Sequence, residues 1–188
     1  MTRRAVFVDR DGVLNHSVVR NGKPYPPDSI DTLAVCDGVD DAVRELRAAG
    51  FLVIVVTNQP DVGAGRQTRE AVEAIHGYLR ARLTLDDIRV CYHTDDDGCD
   101  CRKPKPGMLV NAARDWAVDL TTSFMVGDRW RDIDAGRAAG CRTVLVGNCY
   151  EERPAEGFDA HVSSLREASR WVLGEHAQGF ALSMRGEV

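Results

Sequence analysis

Ala5-Val6-Phe7-Val8-Asp9-Arg10-Asp11-Gly12 is the stretch that decides how this chain folds. Its first four residues are apolar and largely β-branched or aromatic, which marks a short buried strand. The strand runs straight into two carboxylates spaced two apart and closed by a glycine. Ending a buried strand with paired like charges is costly unless something positive sits beside them. A divalent cation, or a phosphate-handling site that includes one, meets that need. Asp and Gly are also ordinary turn residues, so these eight residues alone permit a solvated turn, and the rest of the chain has to decide.

Outward from this strand, Asn15 to Asp31 is polar and carries Asn21-Gly22, Pro24, Pro26 and Pro27. Asn-Gly is a hairpin signal and the prolines forbid a long helix, so a loop or small flap is expected. Asp37-Gly38 opens a helical stretch from Val39 to Ala49, with Val43 and Leu46 on one face and Gly50 as its stop. Phe51 to Val56 is a continuous apolar run that suits a buried parallel strand, and it ends in Thr57-Asn58-Gln59. A glycine-rich loop, Pro60 to Gly65, and a helix from Thr68 to about Leu83 follow.

A third strand, Ile88 to Tyr92, leads into a cysteine-rich loop and then Lys103-Pro104-Lys105-Pro106. Helices are expected over Gly107–Val118, Ile133–Ala139 and Ser164–Leu173, and strands over Ser123–Val126 and Arg142–Val146. Strands alternating with helices imply right-handed βαβ units and a Rossmann-like three-layer α/β sandwich around a mostly parallel sheet. Such sheets bind ligands outside the carboxyl ends of their strands. The polar punctuation falls there three times, at Asp9 and Asp11, at Thr57 and Asn58, and at Asp128. Three coincidences on one rim argue for a site.

Length and composition agree with one domain over residues 1–175, followed by a tail (176–188) with no legible pattern. The 188 residues are 44% hydrophobic and 28% charged, a globular balance long enough to bury a core. A net charge of −5 gives no general electrostatic case for nucleic acid or an anionic membrane. No apolar run approaches the roughly 18 residues of a membrane span. Only about four apolar residues follow Arg3-Arg4, too few for a signal peptide. The expectation is a cytoplasmic monomer whose six cysteines are not in disulfides.

Asp9, Asp11 and Asp128 make a set of hard oxygen ligands suited to Mg²⁺, with Asp132 and Asp134 as further acidic candidates. Lys103, and the Thr57 hydroxyl with nearby backbone N–H groups, can hold phosphoryl oxygens. A second constellation is Cys91-Tyr92-His93 followed by Cys99-Asp100-Cys101. Three thiols and an imidazole complete a tetrahedral set for structural Zn²⁺ across a loop of residues 91–101. Cys36, Cys141 and Cys149 lie elsewhere and read as buried or incidental thiols.

The acidic and basic motifs together resemble the haloacid dehalogenase (HAD) superfamily of phosphatases. Four motifs match in order: DRDG at Asp9–Gly12, Thr57, Lys103, and GDxxxD at Gly127–Asp132. The resemblance implies that Asp9 is the nucleophile, forming an aspartyl-phosphate. It implies that Asp11 protonates the leaving oxygen and then takes a proton from water. Thr57 and Lys103 would hold the phosphoryl group, and Asp128 would complete a Mg²⁺ site with the Asp9 carboxylate and the Asp11 backbone carbonyl. No second domain fits between the motifs, so a capless enzyme for a small phosphorylated substrate is implied.

The Cys-x-His…Cys-x-Cys-Arg-Lys-Pro run, ending Cys101-Arg102-Lys103-Pro104, is similar to the heptose 1,7-bisphosphate 7-phosphatases. The histidinol-phosphate phosphatases share this layout. In that subfamily zinc is structural, which carries over to Cys91, His93, Cys99 and Cys101. Arg102 would read a distal phosphate of a sugar bisphosphate, with Asn58, Gln59 and Arg129 as further substrate contacts. Two departures stand out. Arg129 occupies a place where the family usually has Lys, exchanging a point charge for a guanidinium fork. Pro60-Asp61-Val62-Gly63-Ala64-Gly65-Arg66 replaces the usual Ser-Gly-Ile-Ala-Arg-Gly loop beside the substrate. Histidinol phosphate or another small ester is the nearest alternative substrate. A non-catalytic phospho-ligand or zinc-binding module is the alternative from another class, since fold alone does not guarantee activity.

Overall fold

The five apolar runs become neighbouring strands of one sheet. The computed structural model describes residues 2–147 and 150–183. In chain order the elements are β1 (Arg4–Val8), β2 (Val18–Arg20), β3 (Lys23–Tyr25), α1 (Val39–Ala48), β4 (Phe51–Asn58), α2 (Pro60–Gly63) and α3 (Arg69–Arg82). There follow β5 (Asp87–Cys91), α4 (Gly107–Trp116), β6 (Phe124–Gly127), α5 (Trp130–Ala139), β7 (Arg142–Val146), β8 (Ala160–Val162) and α6 (Leu165–Ser183).

The main sheet runs β5-β4-β1-β6-β7-β8 and all its pairings are parallel. β1 is central: Val6 pairs with Val53 of β4 on one side and Phe124 of β6 on the other. Side chains alternate across it. Val6 and Val8 enter a core built with α1, α3 and α6, while Ala5 and Phe7 enter a second core with α4 and α5. The result is a helix–sheet–helix sandwich with both faces covered. α1 shows how the pattern works, since Val39, Ala42, Val43 and Leu46 are its buried residues and their spacing makes one helical stripe.

The stretch between β1 and α1 carries only a β2–β3 hairpin and a short 3₁₀ turn, Ile30–Thr32, so no cap domain covers the rim at this point. Asn21 and Gly22, with φ of 50° and 71°, turn the hairpin in the left-handed conformation that Asn-Gly favours.

The structure departs from the sequence expectations in four places. The loop from Pro60 starts with a helical turn, α2, with proline at its first position, where a missing N–H costs nothing. The third strand ends at Cys91 and leaves Tyr92 outside it. β8 was not foreseen, because three residues carry no periodicity. α6 continues past Leu173 to Ser183, through Gly174. It buries Leu165, Ala168 and Val172 and sets Trp171 edge-on to Phe124 at 5.9 Å, and this packing overrides glycine's weak helix propensity.

Candidate active site

The carboxyl ends of β1, β4 and β6 bring the acidic and basic residues to one rim. Asp9 directly follows β1, and its N–H still donates to Val126 O at 2.9 Å. Asp128 directly follows β6. The chain can pass between them only because residue 12 is glycine: its φ is +87°, and a Cβ there would lie 1.8 Å from Asp128 Oδ2. Asp132 lies in the first turn of α5, where its Oδ2 accepts the Arg129 N–H at 3.0 Å in the manner of a capping box.

Asp9, Asp128 and Asp132 offer carboxylate oxygens that all lie within 4.8 Å of one another. Their relative exposures are 8%, 5% and 1%, so they are held away from bulk water. Lys103 enters from the far side. Its Nζ is 2.9 Å from Asp9 Oδ1 and 2.6 Å from Asp132 Oδ1, and donates to Val56 O at 2.7 Å.

Burial pushes the Asp9 carboxyl up to about 6, against the pull of Lys103 and with help from Asp132 and Asp11. Asp128 is raised well above the usual carboxylate range by burial, then by Asp9 and Asp132. Burial acts to lower Lys103, but Asp132 and Asp9 outweigh it and hold the ammonium above its ordinary value. Three carboxylates against one ammonium make a site that a divalent cation would complete. Asp128 Oδ1 is buried with no hydrogen-bond partner, as a free ligand atom would be, while its Oδ2 accepts from Tyr150 OH at 2.6 Å.

The clustered carboxylates differ from the acidic set read from the sequence, while the backbone carbonyl that the resemblance assigns to Asp11 is a separate atom. The Asp11 carboxylate lies outside the cluster and accepts from Arg10 Nε at 3.1 Å, Arg10 Nη2 at 2.8 Å, Asn15 Nδ2 at 2.9 Å and Gln59 Nε2 at 2.8 Å. Asp132 takes its place, because the first turn of α5 faces the strand ends. Asp134, two residues on, points away and pairs with Arg153 at 2.8 Å.

Thr57, at the end of β4, is buried and accepts from Gln59 Nε2 at 2.8 Å. Gln59 is itself fully buried and ties Thr57 to Asp11 rather than facing the cavity. Asn58 clasps the Lys103 backbone, donating to Lys103 O at 3.0 Å and accepting from Lys103 N at 3.1 Å.

The Lys103 loop is pinned from its other end by the cysteine cluster. Cys101 Sγ is 3.2 Å from Cys91 Sγ and 3.4 Å from Cys99 Sγ, and Cys91 and Cys99 are 3.7 Å apart. His93 Nδ1 is 3.6 Å from Cys91 Sγ and 3.3 Å from Cys101 Sγ. A zinc ion with bonds of about 2.3 Å to sulfur and 2.0–2.1 Å to nitrogen has tetrahedron edges of about 3.5–3.8 Å. Two of these separations fall in that range and three are slightly shorter, so the four residues could hold one after a small expansion. Hydrogen bonds within the cluster outweigh burial at Cys99 and bring its thiol down to about 7. Of the remaining cysteines, Cys141 is buried and Cys36 half-buried, and Cys149 lies outside the described residues.

A cavity of about 200 Å³ opens on the rim, lined by Asp9, Asp11, Asn58 and Lys103, and on its outer side by the flap residues Pro24, Tyr25 and Pro26. Arg129, Arg131 and Arg66 line it too. Arg102 does not: its guanidinium donates to Asp95 Oδ1 at 2.7 Å and to His93 O at 3.3 Å. Arg131 shares Asp95, at 3.1 Å, while reaching the cavity. Arg129 forks onto the Glu152 carboxylate. Sequence reasoning missed Arg10, His76, Tyr150, Arg66 and Arg131. An arginine beside a turn reads as a solvated cation, and only Arg10's place inside the DRDG motif could have signalled a buried one.

Fold and site together define a HAD-like hydrolase, and residues 100–168 match a family described as "HAD-hyrolase-like". The D-glycero-beta-D-manno-heptose-1,7-bisphosphate 7-phosphatase of Pasteurella multocida is 40% identical over 158 residues, 77% of this chain and 82% of that protein. The enzyme of the same name from Yersinia pestis is 35% identical over 185 residues, 92% of this chain and 91% of its own length. A crystal structure of D,D-heptose 1,7-bisphosphate phosphatase from B. bronchiseptica, complexed with magnesium and phosphate, superposes with a TM-score of 0.78. It is 31% identical, covering 92% of this chain and 99% of that one. The chain belongs to the heptose-bisphosphate phosphatase family of HAD-like hydrolases.

Proposed function

We propose that the chain is a Mg²⁺-dependent phosphatase that removes the 7-phosphate of D-glycero-β-D-manno-heptose 1,7-bisphosphate, with a structural Zn²⁺ in the loop of residues 91–101. The observation that carries this reading is the buried trio of Asp9, Asp128 and Asp132 bridged by Lys103 at the carboxyl ends of β1 and β6. A Mg²⁺ held by Asp9, Asp128 and the Asp11 backbone carbonyl, with Asp132 beside them, would neutralise charge developing on the phosphoryl oxygens.

The chain's own groups then divide the work. Asp9 attacks phosphorus and becomes the aspartyl-phosphate as the sugar oxygen leaves. Asp11, lining the cavity, gives that oxygen its proton and later takes one from the water that frees phosphate from Asp9. Lys103 Nζ and Thr57 Oγ1 hold phosphoryl oxygens in place, and their positions are fixed beforehand by Asn58 and Gln59. Arg129, Arg131 and Arg66 put positive charge on the cavity wall, where the far phosphate of a bisphosphate needs it. Arg102 serves the same end at one remove, since Asp95 joins it to Arg131.

The test is ³¹P NMR of the heptose bisphosphate incubated with enzyme and Mg²⁺, beside histidinol phosphate and simple esters. Loss of the C7 phosphate resonance with the C1 resonance retained is the expected result. Turnover of every ester at equal kcat/KM would discard the bisphosphate reading.

A further inference from the structure

Beneath Asp11 lies a chain of side chains that the proposed mechanism leaves unused. Arg10 is fully buried, and its Nε and Nη2 fork onto Asp11. Its remaining nitrogen, Nη1, donates to His76 Nε2 at 3.0 Å. His76 belongs to α3 and is 2% exposed. An imidazole nitrogen that accepts from a guanidinium must carry a lone pair, so the ring is neutral with its proton on Nδ1. That Nδ1–H faces Glu73 Oε1 at 3.4 Å. Burial first, and the Arg10 charge second, bring the His76 pKa down to about 4, consistent with this neutral form. Glu73 also receives the Tyr92 hydroxyl.

We infer that His76 is a positioning residue, which anchors the Arg10 guanidinium and through it holds Asp11 where protons are exchanged with the substrate oxygen and water. The inference rests on the proposed acid–base role of Asp11. Without an acceptor at Nη1, a buried charged donor is left unpaired, which is among the dearest of lost hydrogen bonds. The guanidinium then tilts to find another partner, and the fork on Asp11 goes with it. Proton transfer depends steeply on such geometry, whereas binding of the substrate through Lys103, Thr57 and the cavity arginines does not. A merely structural histidine would change stability and leave turnover per folded enzyme alone.

The experiment is steady-state kinetics on the Mg²⁺- and Zn²⁺-loaded enzyme, with folding checked by circular dichroism and zinc content. His76→Leu should lower kcat about tenfold or more with KM within about twofold, roughly 1.4 kcal/mol or more of barrier. His76→Gln, whose amide oxygen falls near the place of Nε2, should recover kcat to within about threefold. Arg10→Lys combined with His76→Leu should be no slower than Arg10→Lys alone, because the two act in series. If His76→Leu does not fold, His76→Asn replaces it, its amide being too short to reach Nη1. Unchanged kcat in His76→Leu or His76→Asn, or fully additive losses in the double variant, overturns the inference. Asp11→Asn separates the two layers: an active Asp11→Asn sinks the acid–base reading and the inference with it. An inactive Asp11→Asn beside a fully active His76 variant sinks the inference alone.

Discussion

Lys103→Met is the sharpest probe of how the site is balanced. The lost ammonium sits 2.9 Å from Asp9 and 2.6 Å from Asp132 with its side chain 2% exposed. At an effective dielectric near 20, each contact is worth about 6 kcal/mol before the cost of burying the ammonium is returned. Breaking one partner out of a buried pair typically costs about 3–5 kcal/mol net. That penalty lives in ionised carboxylates, so it depends on pH. In the wild type Asp9 is already pushed up to about 6, and removing Lys103 takes away the main influence lowering it.

A carboxyl whose folded pKa is raised stabilises the native state below its unfolded pKa and loses that contribution as pH rises through the folded value. The metal-free variant should therefore lose about 3–5 kcal/mol at pH 8 and less than about half of that at pH 5. Saturating Mg²⁺ should restore part of the loss at pH 8. Urea unfolding followed by circular dichroism at both pH values, with and without Mg²⁺, reads all three effects. Phosphate release should fall about 10²–10³-fold in the same variant. An equal loss at pH 5 and pH 8, indifferent to Mg²⁺, would show that Lys103 is held by packing and that the electrostatic account is wrong.

Further outcomes follow from neighbouring contacts. Mg²⁺ should bind metal-free protein with an affinity that falls as pH drops, by about tenfold or more per pH unit below about pH 6, because both Asp9 and Asp128 are raised and take up protons in competition with the metal; calorimetric titrations across that range check this, and a flat profile contradicts it. Cys101→Ser should reduce bound zinc from about one equivalent to a small fraction by elemental analysis and, by loosening the loop that carries Lys103, lower kcat/KM about tenfold or more; full activity without zinc would detach the loop from the site. Asn58→Ala removes both hydrogen bonds that clasp the Lys103 backbone and should destabilise the protein by about 1–3 kcal/mol with a fall in kcat, read by thermal melts and initial rates.

The parts of this molecule legible in the sequence are those whose physics is local. The apolar runs at Val6, Val53 and Val144 announce buried strands, the stripe from Val39 to Leu46 announces a helix, and Asn21-Gly22 announces a hairpin. The Cys-x-His and Cys-x-Cys pairs were visible because metal ligation needs particular residue types close together. What stayed hidden depends on tertiary direction. Asp11 stands two residues from Asp9 and reads as part of the acidic cluster, but Arg10, Asn15 and Gln59 draw its carboxylate aside. Asp132 replaces it only because α5 starts facing the rim. Asn58 and Gln59 sit at a strand end and read alike as substrate contacts, but only tertiary structure separates them: Asn58 lines the cavity while clasping Lys103, and Gln59 is buried between Thr57 and Asp11. Arg10 and His76, the two polar groups stacked beneath Asp11, come from opposite ends of an interval of 66 residues, and nothing in either neighbourhood announces the other.

The central claim is that Asp9 carries the phosphoryl group in a Mg²⁺-dependent hydrolysis of a sugar bisphosphate. The most direct measurement is phosphate release from D-glycero-β-D-manno-heptose 1,7-bisphosphate, with and without Mg²⁺, by the wild type and by Asp9→Asn. The expected result is one equivalent of phosphate released per substrate by the wild type with Mg²⁺, near-zero release without it, and a loss of about 10⁴-fold or more in a folded Asp9→Asn. Release by Asp9→Asn at a rate near the wild type's would contradict it.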